Sequence, residues 1–216
     1  MARVRVRQHV NPLGQKYLTP ATPLEWEKIY AKLNQPLHLD IGSAKGKFAL
    51  QMSQLEPTWN FLGLEIREPL VIDANRMRDE SRQTNLHYLF CNANNSLKPL
   101  LTSLPAGILQ RVSIQFPDPW FKNRHAKRRV VQPELVTELA EYLAPEGTIF
   151  LQSDIEFVAI EMRSRFLENP AFQIQNNGEW QSQNPFPIPT EREIGTQEKN
   201  EPVYRITFQK KAVRAG

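Results

Sequence analysis

Leu37-His38-Leu39-Asp40-Ile41-Gly42-Ser43-Ala44-Lys45-Gly46 decides how the rest of the chain is read. Leu37–Ile41 is a short, mostly apolar run with the length of a buried strand. Small residues follow at alternate positions, and Lys47–Leu55 then has helical spacing. Such a turn lets the backbone bend tightly and approach a ligand, with a helix N-terminus behind it. The alternation repeats downstream. Phe61–Ile66, Leu86–Cys91, Arg111–Phe116 and residues 147–152 read as strands. Pro69–Ser81, Ser96–Ser103, Pro133–Leu143 and Glu156–Leu167 read as helices. Five β-α alternations predict a mostly parallel, doubly wound sheet with helices on both faces. Phe172–Gln175 and Tyr204–Phe208 are late strands with no helix read between them, so one is expected to run antiparallel. Residues 23–216 are read as one domain. Pro23 opens a helix-like stretch bearing Leu24, Ile29, Tyr30 and Leu33, and residues 1–22 are read as a mobile basic arm. Residues 176–201 form a loop long enough to suggest function.

At 216 residues, 40% hydrophobic and 23% charged, the chain has the makeup of a soluble globular protein. It lacks an apolar run of membrane-spanning length and the apolar core of a signal peptide. A single cysteine, Cys91, leaves no internal disulfide or Cys-rich zinc site and suggests a reducing cytoplasm. The four histidines have no metal-ligand spacing, so no metal is expected. The formal charge is only +4, but residues 1–24 and 122–129 together hold nine Lys and Arg and no acid. The remaining body is therefore net acidic, and the two basic patches favour nucleic acid over a membrane as partner.

The second patch follows Phe116-Pro117-Asp118-Pro119-Trp120-Phe121. Two prolines fix φ and hold Asp118 in a stiff loop just past a strand end, where open α/β sheets keep their chemistry. Lys122, Arg124, Lys127, Arg128 and Arg129, with His125 among them, form a phosphate-binding footprint. Three further residues point to the cofactor. Glu65 at the end of the second strand can take both hydroxyls of a ribose, and Asn92 with Ala93 ends the third strand where an amide can meet an adenine rim. A dinucleotide favours Gly-x-Gly-x-x-Gly and places a pyrophosphate at the turn. Here the spacing is Gly42, Ala44, Gly46, and Asp40 would repel a pyrophosphate but help the amino and sulfonium groups of S-adenosylmethionine. S-adenosylmethionine is therefore the expected cofactor.

Together these segments resemble the bacterial tRNA (guanine-N7)-methyltransferase family. The resemblance runs over nearly the whole chain, through residues 5–13, 40–46, 63–67, 92–93, 116–129, Ser153-Asp154 and Pro189-Thr190-Glu191-Arg192-Glu193. The Pro-Asp-Pro-Trp element with its basic tail is specific, whereas the glycine loop is not. The resemblance implies a Rossmann-like methyltransferase fold and methylation of guanine at variable-loop position 46 of tRNA, by a monomer or homodimer. It also implies that Asp118 lies at the cofactor as the catalytic residue. Three positions depart from the family pattern. Ala44 and Asn123 stand where glycine and lysine are usual, and Arg192 where an aromatic is common. Ala44 must keep negative φ or accept strain.

Guanine N7 has an in-plane lone pair and no proton, so attack on a sulfonium methyl needs alignment and a tolerant electrostatic environment, not a base. Asp118 is the candidate for that role. Asp154 and Glu193 can accept from the N1–H and amino group of guanine, and Thr190 can bond the base or ribose. The Thr190-Glu191-Arg192-Glu193 segment and Lys122 are the expected substrate contacts. Arg124, Lys127, Arg128 and Arg129 are expected phosphate clamps, with His125 on the same RNA surface, and Arg5 and Arg7 of the arm are expected to fold over the RNA. Trp120 stacks on the base or anchors the loop. Asp154 could also cap the following helix. Three rival functions remain. One is an amino-methyltransferase, whose prolines are adjacent in its own loop; another is a non-catalytic RNA-binding protein on a methyltransferase fold; the most distant is an NAD-dependent reductase.

Overall fold

In the computed structural model, residues 10–175 and 178–212 are described. The elements in chain order are α1 (Trp26–Ile29), β1 (Leu37–Ile41), α2 (Lys47–Leu55), β2 (Asn60–Glu65), α3 (Glu68–Glu80), β3 (Leu86–Phe90), α4 (Ala93–Thr102) and β4 (Leu109–Gln115). They continue through α5 (Pro133–Tyr142), β5 (Thr148–Ser153), α6 (Glu156–Leu167), β6 (Phe172–Ile174), α7 (Glu191–Glu198) and β7 (Tyr204–Lys210). The sheet has seven strands in the order β3-β2-β1-β4-β5-β7-β6. β1 to β5 pair in parallel, and β7 runs antiparallel between β5 and β6. The expected doubly wound sheet with a late antiparallel strand is therefore present.

β1 and β2 are buried along their whole length because helices cover both faces. On one face Leu37, Leu39, Ile41, Leu62 and Leu64 pack with Leu97 and Leu100 of α4, Leu135 and Leu139 of α5, and Met162 and Phe166 of α6. On the other, Phe48, Ala49 and Met52 of α2 and Val71 and Ala74 of α3 pack with Phe61, Tyr88, Phe150 and Phe186. The chain crosses between β1 and β4, so the loops after those two strands open a crevice at the carboxyl edge. The turn after β1 sits close to β2 because residue 63 is glycine. A Cβ there would lie 2.5 Å from Tyr88 Cδ1 and 2.9 Å from Ser43 Oγ.

Three expectations need correction. The helix read from Pro23 to Leu33 is only the four residues of α1. Trp26 Nε1 donates to Ser103 Oγ (2.8 Å) and Tyr30 O–H donates to the Phe61 carbonyl (3.0 Å), and these anchors hold Tyr30 extended at φ −110°. The stretch between the late strands contains a helix, α7. Its signal was Thr190-x-x-Glu193, an N-cap followed three residues later by an acid; Thr190 Oγ1 accepts from Glu193 N–H at 3.1 Å. Finally, the part of the arm from residue 10 to 22 is seated on the domain. Asn92 Nδ2 donates to the Pro12 carbonyl (3.1 Å), Asn95 Nδ2 to the Tyr17 carbonyl (2.8 Å), and Ala21 N–H to Ser96 Oγ (3.0 Å). Residues 1–9, with Arg5 and Arg7, lie outside the described residues.

Gly63→Ala is expected to lower unfolding free energy by about 1–3 kcal/mol through overpacking against Tyr88 and Ser43. Urea denaturation followed by circular dichroism would measure it.

Candidate functional site

Two adjoining cavities open at the carboxyl edge of the sheet. The first, about 130 Å³, is lined by Gly42, Glu65, Arg67, Asn92, Ala93 and Asp118, and is walled by Val10 and Pro12 of the seated arm. The second, about 410 Å³, is lined by Asp40, Gly42, Phe121, Asp154, Thr190, Glu191 and Arg192. Gly42, Arg67, Gln115, Phe116, Pro117 and Asp118 border both. The Pro-Asp-Pro loop thus forms the partition between them.

The turn after β1 is held by backbone bonds from Gly42 N–H and Ser43 N–H to the Leu64 carbonyl, at 2.8 and 2.9 Å. Gly42 has φ +86°, and a Cβ there would meet open space. Ala44 takes the strained alternative, φ +50°. Its N–H is spent on Glu65 Oε2 at 2.8 Å, which ties the turn to β2. Gly46 was expected beside the cofactor, but it lines neither cavity. It caps α2 at φ +77°, and a Cβ there would lie 2.6 Å from the Tyr88 ring.

Asp40 is 4% exposed. Burial pushes its carboxyl up to about 6, opposed by hydrogen bonds from Ser113 and Gln115. Ser113 Oγ donates to Asp40 Oδ1 at 2.6 Å. Behind it, Arg111 Nε donates to His38 Nδ1 (3.0 Å), so the neutral imidazole carries its proton on Nε2, which donates to Ser113 Oγ (2.9 Å). Burial, with Arg111 nearby, holds His38 well below its ordinary pKa. Glu65 is equally buried and accepts from Ala44 N–H, Arg67 N–H (3.0 Å) and Arg67 Nε (2.8 Å). Asn92 caps α4 with its oxygen and spends its amide protons on arm carbonyls. Cys91 also borders the first cavity, and burial pushes its thiol up to about 12, which keeps it protonated at neutral pH.

The loop after β4 is strained at both ends. Phe116 has φ +49° and Trp120 φ +43°, flanking Pro117-Asp118-Pro119. β4 therefore stops at Gln115, one residue before the expected end, because positive φ takes Phe116 out of the strand. Arg129 holds the far end. Its Nε donates to the Pro119 carbonyl (3.0 Å), a guanidinium N–H donates to the Trp120 carbonyl (3.1 Å), and it pairs with Glu161 of α6. Arg129, expected as a phosphate clamp, is thus a brace for the loop. Trp120 is half-buried, with Arg128 4.9 Å from its ring centroid and His125 edge-on at 5.6 Å. Desolvation, together with Arg128, Arg124 and Lys122, keeps His125 below its ordinary pKa. Residues 123–128 form a short 3-10 helix, with Lys122 just before it. Lys122, Arg124 and Lys127 are exposed and line neither cavity.

The α7 segment divides its residues. Glu191 pairs with Lys47 at 2.8 Å, and that bond holds its carboxyl below the ordinary range. Arg192 pairs with Asp154 across the second cavity, with Nε at 2.8 Å from Oδ2. Asp154 is not a helix cap: Ile155 is the N-cap residue of α6, and no side chain caps that end. Glu193, expected to meet the substrate, is 1% exposed and faces Arg205 (2.7 Å) and Asn184 (2.6 Å) inside the protein. Among the described residues no group of three or more His, Cys, Asp or Glu could hold a metal ion, and no helix is long and apolar enough to cross a membrane. The residues missed from the sequence are Ser113, Gln115 and Gln152, with His38 behind them. Their one signal was polar side chains at alternate positions in strands that are otherwise buried and apolar.

The comparisons with known proteins bear on the family and the fold. Residues 34–206 match a family described as "Putative methyltransferase". The chain is 70% identical to the tRNA (guanine-N(7)-)-methyltransferase of Trichormus variabilis over 96% of each protein. It is 53% identical to that of a Synechocystis species, over 97% of this chain and 99% of the relative. Among solved structures it resembles a 16S rRNA methyltransferase, KamB, with TM-score 0.58 at 14% identity, covering 87% of this chain and 93% of the other. It also resembles an aminoglycoside-resistance methyltransferase, with TM-score 0.55 at 14% identity, covering 88% and 92%.

Two arginines of the basic run should behave differently. Arg129→Ala is expected to cost about 2 kcal/mol of stability or more, because it leaves two carbonyls and Glu161 without their partner. Arg124→Ala should stay within about 0.5 kcal/mol of the parent and instead elute earlier in a salt gradient from heparin.

Proposed function

The chain belongs to the tRNA (guanine-N(7)-)-methyltransferase family, and from that premise we propose that it methylates N7 of variable-loop guanine 46 of tRNA, using S-adenosylmethionine, by direct in-line transfer with no general base. The observation that carries this reading is Asp118, held between two prolines on the partition shared by both cavities.

The residues present fit S-adenosylmethionine. Gly42 leaves open space where a side chain would stand, Asp40 is a buried carboxylate suited to a cation, and Glu65 and Asn92 border the smaller cavity. When bound, S-adenosylmethionine supplies an electrophilic methyl group on a cationic sulfur. Asp40 takes the charged amino end, and the Ser113 and Gln115 donors hold its carboxylate in place. Glu65 takes the ribose hydroxyls, which requires the Arg67 guanidinium to give up its present bonds. The seated arm closes the adenine side through Pro12.

The larger cavity takes the guanine at its α7 side, while Asp40 borders the same cavity at the turn after β1, where the amino end of the cofactor enters. Thr190, Glu191 and Arg192 form its α7 wall, and Asp154 stands opposite as the acceptor for N1–H and the exocyclic amine. In that role Asp154 exchanges its bond to Arg192 for the base. Glu193 supports the wall from behind and does not touch the base. Asp118 lies between the donor and acceptor positions, where positive charge moves from sulfur to purine. A fixed carboxylate there stabilises both ends of the transfer. Its rigidity comes from the two prolines and the Arg129 brace. Lys122, Arg124 and Lys127 remain exposed for phosphate contacts.

Two tRNA transcripts, one with guanine and one with adenine at position 46, are to be incubated with protein and labelled S-adenosylmethionine. Borohydride–aniline cleavage then locates the product. Label only in the first, with cleavage at that base, is expected. Tight binding without label would favour the non-catalytic RNA-binding reading, and label surviving cleavage would favour an exocyclic amine as target. Asp118→Ala is expected to lower kcat at least about 100-fold while the tRNA Kd stays within about threefold.

Asp40 also sets a pH dependence. Its carboxyl titrates near 6 in the folded protein, and only the ionised form attracts the cation. Affinity is therefore full above that value and falls as pH drops through it. Titration calorimetry should find S-adenosylmethionine bound about tenfold more weakly at pH 5 than at pH 7.5. Asp40→Asn should be weak at both and nearly flat.

A further inference from the structure

Two amides extend the support of Asp40 across the sheet, Gln115 half-buried and Gln152 fully buried. Gln115 of β4 and Gln152 of β5 are neighbours in register, and Gln152 is in turn opposite Arg205 of β7. With Asp40 of β1 they form a polar row across four adjacent strands at the carboxyl edge. Gln115 Nε2 donates to Asp40 Oδ1 at 3.3 Å. Gln152 Nε2 donates to Gln115 Oε1 at 2.8 Å and to Glu193 Oε2 at 3.3 Å. Glu193 lies in the first turn of α7, and its own N–H donates to Thr190 Oγ1. The row therefore runs from a carboxylate beside the turn after β1 to the N-terminus of the helix that walls the larger cavity.

Its direction is set from both ends. A carboxylate only accepts, so Gln115 must present its NH2 to Asp40 and its oxygen to Gln152. Gln152 must then present NH2 to both Gln115 and Glu193. This leaves Gln152 Oε1 buried without a partner, so the amide keeps its orientation although its own acceptor is unmatched. Arg205 offsets the charge of Glu193 at one end, with both side chains at most 5% exposed. At the other end Asp40 is met by the neutral donors Ser113 and Gln115. A cation arriving at Asp40 draws on the same carboxylate that Gln115 bonds. In a low-dielectric interior, a change in one bond of such a chain repolarises the next.

We infer that Gln115 and Gln152 are positioning residues that couple the cofactor position to the guanine position, so that a cofactor bound at Asp40 sets the N-terminus of α7 for the incoming guanine. The coupling is reciprocal, and bound tRNA tightens the cofactor site by the same factor. It rests on the proposed function for what fills each cavity. Gln115 borders both cavities, whereas Gln152 borders neither. An effect of Gln152 on either ligand therefore passes through its partners.

The test uses S-adenosylhomocysteine, which keeps the amino group but cannot react, and an unmodified tRNA transcript. Its Kd is measured by calorimetry with and without saturating tRNA. The parent protein is expected to bind it about fivefold more tightly, or better, in the presence of tRNA. Gln152→Leu is expected to bring that ratio to within twofold of one, while the Kd for each ligand alone changes less than about threefold. A structural role alone would weaken both ligands and preserve the ratio. A preserved ratio in Gln152→Leu, or no coupling in the parent, overturns the inference. Parent protein that binds neither ligand would overturn the proposed function and the coupling with it. A second measurement needs no variant. S-adenosylhomocysteine should slow amide hydrogen exchange across residues 193–198 of the parent, and unchanged exchange there overturns the coupling.

Discussion

Keeping the Asp40 carboxylate inside the sheet is the constraint on which this edge of the molecule depends. A buried carboxylate needs hydrogen-bond donors or it takes up a proton. The donors come from the neighbouring strand, Ser113 and Gln115, and each needs support of its own. Ser113 is fixed by His38, and His38 by Arg111, which pairs with Glu56 beyond the end of α2. Gln115 is fixed by Gln152 and, through it, by Glu193 and Arg205. One buried charge thus accounts for polar residues on β1, β4, β5 and β7 in a layer otherwise made of Phe48, Phe61, Phe150 and Phe186.

A second constraint acts on the partition. Two non-glycine residues at positive φ, Phe116 and Trp120, are unfavourable conformations that persist only when their surroundings over-determine them. Phe116 N–H bonds the Gln152 carbonyl at 2.8 Å, which anchors the near end of the loop to β5. Arg129 bonds both carbonyls at the far end and draws on α6 through Glu161. The position of Asp118 is therefore set by β5, α6 and the Arg129 guanidinium. The charge-stabilising role proposed for Asp118 requires such preorganisation.

The ion pairs at the larger cavity differ in exposure. Lys47–Glu191 joins the start of α2 to α7 and is exposed on both sides, so it contributes little stability. Arg192–Asp154 joins the turn after β5 to α7 with an exposed guanidinium but a largely buried carboxylate. The buried Glu193–Arg205 pair ties α7 to β7.

The alternation of strand and helix, the turn at Gly42 and the stiff Asp118 loop were legible in the sequence because each is written in neighbouring residues. Hydrophobic period, small residues and prolines act over a few positions, and β1, α2 and α6 have the bounds read from them. The helix α7 was also legible in Thr190-x-x-Glu193, but its polar composition masked it. What only the tertiary structure decided was the partner of each charged group. Arg129 and Arg128 are adjacent in a basic run, yet one braces a loop and the other lies over Trp120. Asp154 and Glu193 are alike in sequence, yet one borders a cavity and the other is sealed against Arg205. Local sequence determines the path of the backbone, because φ, hydrogen-bond period and apolar spacing are local properties. The role of an ionised side chain depends on which charges and donors the folded sheet brings within about 3 Å, and at this site those lie from 2 to 144 positions away along the chain.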